Sequence, residues 1–357
     1  MAQVLKKHPV NWQGGMKVSK EHFIATEDFL MDQIRDRTLL STESFGLLPA
    51  IDDTSSNLEY HLETDTAGFS VLLTTCRAIT PNGLRVEVID LAEPLVGHCD
   101  MLKDALYNIY IGVNMAERTP FGAPDPEEEP PRLPFVRPGY RISITHESAS
   151  PGLGASSFVQ IGQAHILEGQ VKQVDSYIPP CFNINASKQL KNMFLKALER
   201  LARIEQNTIT LVRNAERIFL EKSADETLAY NVYDFAKNVL NFLANNLDDF
   251  RLISPTKSPI YYTIFFVKFA RLLRTFFAAL QDVERGKTVE YIFKFAANIE
   301  APNQIADLLT SLTKTTYHHH EMYQHLQVVE RFLQIWDKIF HDLSQHDFVG
   351  PVKTIST

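Results

Sequence analysis

Cysteine is scarce in this chain of 357 residues: Cys76, Cys99 and Cys181 are all it has, an odd number in no spaced motif. That excludes a disulfide framework and points to reduced thiols in a cytoplasmic protein. Long apolar runs are missing too. The most apolar stretch, from Pro259 to Val267 (PIYYTIFFV), stops at Lys268, with Arg271 and Arg274 close behind. A membrane span needs about 18 uninterrupted apolar residues, so direct insertion is excluded. The opening MAQVLKKHPVNWQGG has two lysines with no apolar run after them, and no signal peptide is expected. A basic excess is also absent. The formal net charge is −8, and residues 1–180 set 24 acidic side chains against 14 basic ones. Phosphate binding needs a basic field, so nucleic acid is excluded as a partner, whereas a neutral or basic protein surface fits.

What is present is ordinary globular material, 45% hydrophobic and 22% charged. The length suffices for two or three cores at about 150 residues per domain. Up to Pro179-Pro180 the pattern is that of short strands. Residues 69–80 and 84–91 flank Pro81-Asn82-Gly83 as a hairpin. Residues 107–113, 140–145, 157–163 and 171–177 read as further strands, which together predict a β-sandwich or irregular barrel. One helix interrupts this near the start, capped by Ser19, with Phe23, Leu30 and Ile34 on one face. Residues 119–138 (TPFGAPDPEEEPPRLPFVRP) read as an exposed, mobile loop.

After Pro180 the grammar is helical. Leu190, Phe194, Ala197, Leu201, Ile204, Thr208, Leu211, Ala215 and Ile218 alternate steps of four and three, the a/d repeat of a coiled coil. Such a seam must pack on helices of the same or a neighbouring chain. Leu228, Val232, Phe235, Val239, Phe242 and Asn246 repeat the rhythm. A third helix starts at the prolines 255 and 259 and is expected to end at Gly286. Further helices are expected over 288–300, 304–313 and 317–346. In the last, the residues from Met322 to Leu343 form a wide apolar stripe, expected to pack partly on its neighbours and leave its distal part for a partner.

No constellation of residues assembles a catalytic or cofactor site. His318-His319-His320 point in three directions on a helix, where a metal needs convergent ligands, so a polar turn or helix start is expected there. Gly152-Leu153-Gly154-Ala155-Ser156 lacks the lysine of a phosphate loop. Cys181 has no base beside it, and the carboxylates Glu127-Glu128-Glu129 form a solvated run. A non-enzymatic protein without cofactor is the expectation.

The segment NWQGGMKVSKEHF is more informative, because paired glycines allow a turn and Trp12 and Met16 offer large apolar anchors. Trp12, Gly15, Met16, Val18, Ser19, His22 and Phe23 resemble the opening of the TssK family of type VI secretion baseplate proteins. Tyr177-Ile178-Pro179-Pro180-Cys181, followed by Ile184, Ala186-Ser187 and Leu190, is similar to that family's passage from shell to neck. Cys76-Arg77-Ala78 before the Asn-Gly turn is a third, weaker match. The resemblance implies an α+β fold: a β-sandwich shell (1–180) akin to siphophage receptor-binding shoulders, a helical-bundle or coiled-coil neck (181–286), and a short helical C-terminal segment (287–357) where the family's usual head is larger and contains strands. It further implies a homotrimer joined at Leu190, Phe194, Leu201, Ile204, Leu211 and Ile218. Wedge proteins similar to TssF and TssG would bind around Trp12, Gly15, Met16 and Phe23. A membrane complex would be reached through the C-terminal segment or other subunits, with the protein cytoplasmic and docked at the inner membrane. A phage-like receptor-binding protein is the alternative, and a hydrolase or lyase with an unrecognised site is a more distant one.

Overall fold

The structure, a computed structural model, describes residues 7–345 apart from 42–43, 53–54, 65–67, 90, 92, 101–103, 152–154, 221–225 and 297. The chain divides into two compact units, one up to Ser187 and one from Lys188 onward.

Among the described residues the first unit opens with α1 (Lys20–Ser41), followed by nine strands: β1 (Gly46–Leu47), β2 (Leu58–Thr64), β3 (Phe69–Ile79), β4 (Arg85–Val88), β5 (Leu95–Cys99), β6 (Ala105–Phe121), β7 (Phe135–His146), β8 (Phe158–Leu167) and β9 (Gln170–Gln173). They form two antiparallel sheets. β3 is the spine of the first and pairs with β1, β2, β4 and β5; the second runs β7-β6-β8-β9. Strand alternation places Phe69, Val71 and Leu73 on the inside, where the Phe69 ring meets Tyr107 of the second sheet at 5.7 Å, and Ile109, Ile111, Val159 and Ile161 of that sheet are fully buried as well. The expected Asn-Gly hairpin is β3–β4, with Ile79 opposite Arg85 and Cys76 opposite Val88. The Ile-Pro-Pro-Cys segment is stitched to β1: Leu47 N–H donates to the Pro180 carbonyl at 2.7 Å, and Phe182 N–H donates to the Leu47 carbonyl at 2.8 Å. Gly46 is required there. Its φ is +105°, and a Cβ would sit 2.0 Å from the Pro180 carbonyl oxygen.

Residues 122–134 form an exposed loop, as expected, whereas the two ends of the 119–138 segment are strand. β6 and β7 continue past the rest of their sheet as a two-stranded arm, with Thr119 opposite Arg137 and Phe121 opposite Phe135. β8 pairs with β6 only as far as Gly112, so the prolines at 120 and 138 interrupt no third strand.

The second unit contains six α-helices among the described residues: α2 (Lys188–Leu220), α3 (Glu226–Leu252), α4 (Ile260–Ala279), α5 (Asp282–Phe293), α6 (Pro302–Lys314) and α7 (Met322–Gln345). Gly286 lies inside α5 rather than ending a helix. The break falls at Leu280-Gln281, both extended, and Asp282 and Glu284 supply the acidic first turn that favours a helix start. Pro302 begins α6, where its missing N–H costs nothing.

The coiled-coil seam is core. Leu190, Phe194, Ala197, Leu201, Ile204, Thr208 and Leu211 are buried within the single chain, and α2 packs against both α3 and α7. The side chains of Ala215 and Ile218 lie outside the description. Leu190, Phe194, Leu201, Ile204 and Leu211 therefore have no surface left for a second copy. The 3.5-residue repeat meant a buried seam, and helices of the same chain bury it. The apolar stripe of α7 is corrected likewise: Met322, Leu326, Val329, Phe332, Leu333, Trp336, Ile339, Phe340 and Leu343 are all buried, and no distal part is left over. Arg200 pairs with Glu330 and Arg203 with Asp337, each at 2.6 Å, flanking the α2–α7 contact with charge.

Candidate interaction surfaces

The N-terminal residues singled out by sequence come together ahead of α1. Gly15 turns the chain at φ +80°, and the Met16 N–H donates to the Gln13 carbonyl. The Gln13 N–H in turn points at the Met16 sulfur, 3.5 Å away. Trp12 lies 5.9 Å from the His22 ring and 6.4 Å from the Phe23 ring, centroid to centroid. His22 is structural here, because its Nδ1 accepts the Ser19 N–H at 3.1 Å and closes the start of the helix. Trp12 remains 50% exposed and Phe23 59% exposed.

α1 is turned opposite to an ordinary amphipathic helix. Phe23, Leu30 and Ile34 share a face, as their spacing indicates, but that face is exposed. Among the described residues of α1 it is Asp32 that is buried, ion-paired to Arg35 and accepting the Lys7 N–H at 3.2 Å. Glu27, on the same stripe as Phe23 and Leu30, is ion-paired to Arg118 at the root of the β6–β7 arm. Beside that root, Val113, Asn114, Glu117, Gly139, Tyr140, Arg141, Ser157 and Phe158 line a polar cavity of about 350 Å³.

In the helical unit α2 carries a second stripe that sequence reasoning passed over. Leu195, Leu198, Ala202, Ile209 and Val212 follow the same three- and four-residue steps, with Glu205 at the one position between Ala202 and Ile209; the stripe is offset from the buried seam, and all are exposed or half-buried. Leu198 and Ala202 line a groove of about 390 Å³ with Leu243, Ala244 and Leu247 of α3, rimmed by Glu205, Asp248 and Arg251. The signal was a second 3.5-residue repeat on one helix.

The residues weighed for chemistry do not converge. His318 N–H donates to His325 Nε2 at 3.2 Å, His319 pairs with the Tyr317 hydroxyl, and residues 319–321 form a 3-10 turn before α7. Among the described residues no group of three or more His, Cys, Asp and Glu could hold a metal ion. Burial pushes the Cys76 thiol up to about 12, helped by the nearby Glu87 carboxylate, and raises the Cys181 thiol as well. Cys181 is fully buried and its Sγ donates to the Pro179 carbonyl. Residues 152–154 of the glycine-rich segment lie outside the described residues. No described helix is long and apolar enough to cross a membrane.

No family model and no curated protein matches the chain. Solved structures do. A crystal structure of TssK superimposes with a TM-score of 0.52 at 13% identity, over 92% of this chain and 72% of that one. A TssK–TssF–TssG baseplate subcomplex of the type VI secretion system gives a TM-score of 0.48 at 11% identity, over 95% and 99%. A baseplate complex from the same kind of system gives 0.49 at 12% identity, over 94% and 99%. The fold assignment rests on the first of these: from a two-sheet shell to a helical unit, the chain has the fold of TssK.

Proposed function

We propose that this chain is a structural, non-enzymatic adaptor of a type VI secretion baseplate. The observation that carries the reading is the TssK fold across 92% of the chain. TssK itself occurs in a baseplate subcomplex with TssF and TssG. The counterpart here is a wedge protein similar to one of those, held by the exposed apolar surface of Trp12, Phe23, Leu30 and Ile34 with the half-buried Met16 beside them. An uncovered helix face of this kind is unfavourable in a protein that works alone. The structures matched do not favour the receptor-binding alternative.

The homotrimer is kept in the proposal with a different interface. Since the first α2 seam is core, copies would meet along Leu195, Leu198, Ala202, Ile209 and Val212, with the groove against α3 receiving side chains from the next copy. The buried stripe of α7 moves the link to the membrane complex onto polar outer faces or onto other subunits, at the cytoplasmic side of the inner membrane. Co-expression of the full chain with wedge proteins similar to TssF and TssG tests the reading. Stable co-purification in a complex containing three copies of this chain is expected. A monodisperse monomer that captures neither wedge protein would sink it.

A further inference from the structure

The β6–β7 arm spends order on a surface that a solvated loop would leave loose. Phe121 and Phe135 stand directly opposite each other, rings 5.7 Å apart, with the Arg137 guanidinium 5.7 Å from the Phe121 centroid. Beyond them the chain closes back on itself: Asp125 N–H donates to the Arg132 carbonyl, and Glu127 N–H donates to the Asp125 carboxylate at 2.9 Å. Yet the apolar side chains so arranged face solvent. Phe135 is 60% exposed, and Phe121, Leu133 and Val136 are exposed too. Single exposed apolar residues are normal, but four on one ordered arm make a patch.

Charge decides what such a patch can meet. Residues 122–134 carry Asp125, Glu127, Glu128 and Glu129 against one cation, Arg132, and Arg132 is taken up by Glu128 through two hydrogen bonds. Asp125, Glu127 and Glu129 remain as an acidic rim beside the aromatic pair. Anionic lipid and nucleic acid are repelled by that rim, whereas lysine and arginine side chains are drawn to it.

We propose that the distal end of the β6–β7 arm is a docking surface for a partner protein. Its occupant is a segment that sets apolar side chains on Phe121 and Phe135 and basic side chains on Asp125, Glu127 and Glu129. The inference rests on the proposed baseplate role, in which that segment belongs to a wedge protein similar to TssF or TssG. This second contact is separate from the α1 face, and Arg118, ion-paired to Glu27 at the arm's root, fixes the spacing between them.

The test is capture of the full chain by the co-expressed wedge proteins at low and high salt. Three variants are compared with the wild type: Phe121→Ser with Phe135→Ser; Glu127→Lys and Glu129→Lys together; and Phe23→Ser with Ile34→Ser on α1. The charge reversal leaves the Glu128–Arg132 pair in place and changes only exposed carboxylates at the tip, so it reports even where the phenylalanine variant folds poorly. Loss of about tenfold or more in affinity for both arm variants is expected, with salt sensitivity abolished only in the charge variant. Wild-type capture by both arm variants, with loss confined to the α1 variant, overturns the proposal and leaves the baseplate reading standing. Failure of the wild type to capture any wedge protein overturns both. Arm-dependent binding of phosphatidylserine vesicles overturns the assignment to a basic protein.

Discussion

Phe235 of α3 and Phe340 of α7 stack with ring planes 3° apart and centroids separated by 5.6 Å. Phe276 and Phe277 of α4 and Trp336 of α7 close around Phe235 at 5.3 to 6.0 Å. One aromatic cluster thus ties the C-terminal helix to the middle of the helical unit, and α7 is as much core as α2.

Replacing Phe340 with alanine should therefore cost about 3–5 kcal/mol, the usual loss for a buried phenylalanine. Phe235→Ala should cost a similar amount, and the double variant less than the sum, because the two rings share one contact. Urea unfolding followed by far-ultraviolet circular dichroism reads all three. If Phe340→Ala unfolds at the wild-type midpoint, α7 is not part of the core.

The two stripes of α2 make opposite predictions. Aspartate at Ile204 and Leu211 places charge in a fully buried seam, costing several kcal/mol per site, so helicity itself should be lost. Aspartate at Leu195 and Ala202 changes exposed positions and should leave the unfolding midpoint within about 0.5 kcal/mol of wild type. That variant should nevertheless appear as a monomer by light scattering where the wild type is a trimer. A Leu195→Asp, Ala202→Asp protein that stays trimeric removes the outer stripe from the interface.

Much of this architecture was legible in the sequence, with one kind of information missing throughout. The Asn82-Gly83 turn marked β3–β4 because its conformational demand is local. The repeat from Leu190 to Leu211 showed that a seam is buried, but period alone does not say whether the facing helix belongs to the same chain. The spacing of Phe23, Leu30 and Ile34 gave a face without its direction, and the structure turns it to solvent. The two ends of the 119–138 segment misled because proline and glutamate dominate the composition, while the pairing of Phe121 with Phe135 is a contact across fourteen residues. Trp12, Gly15, Met16 and Phe23 were singled out by motif resemblance, and the structure sets the Trp12 ring beside Phe23 with the Gly15 turn between them in the chain.

Acid should loosen the entry to α7. Burial holds both His320 and His325 below the ordinary imidazole value of 6.5, against the pull of the Glu321 carboxylate, and the nearby His318 lowers His325 further. The unfolded chain therefore binds more protons than the folded one once the pH falls below 6.5. Stability is full above that value and declines as the pH drops towards the lower folded values. Protonation of His325 Nε2 also removes the acceptor of the His318 N–H. Thermal unfolding midpoints measured from neutral pH to about 5 should fall, and the fall should be smaller in His325→Phe, which keeps a ring against Tyr317. An identical acid profile in that variant would show that His325 titrates without consequence.

The direction of α1 supplies the sharpest separation of folding from binding. Truncating a core phenylalanine destabilises, but Phe23, Leu30 and Ile34 are exposed, so serine at all three should leave the unfolding midpoint near wild type. The same substitutions remove the apolar anchors on which a partner would close, and central aromatic and aliphatic anchors carry most of the energy of an interface. Capture of the wedge proteins should then fall below detection while the copy number of this chain, set elsewhere, stays the same. Removing residues 1–18 takes away Trp12 and Met16 but leaves Phe23, and should weaken capture without abolishing it. If the triple serine variant binds as tightly as wild type, the exposed face of α1 serves some other contact. If it unfolds, the face is covered within the chain and the exposure of Phe23 is not that of the protein in solution.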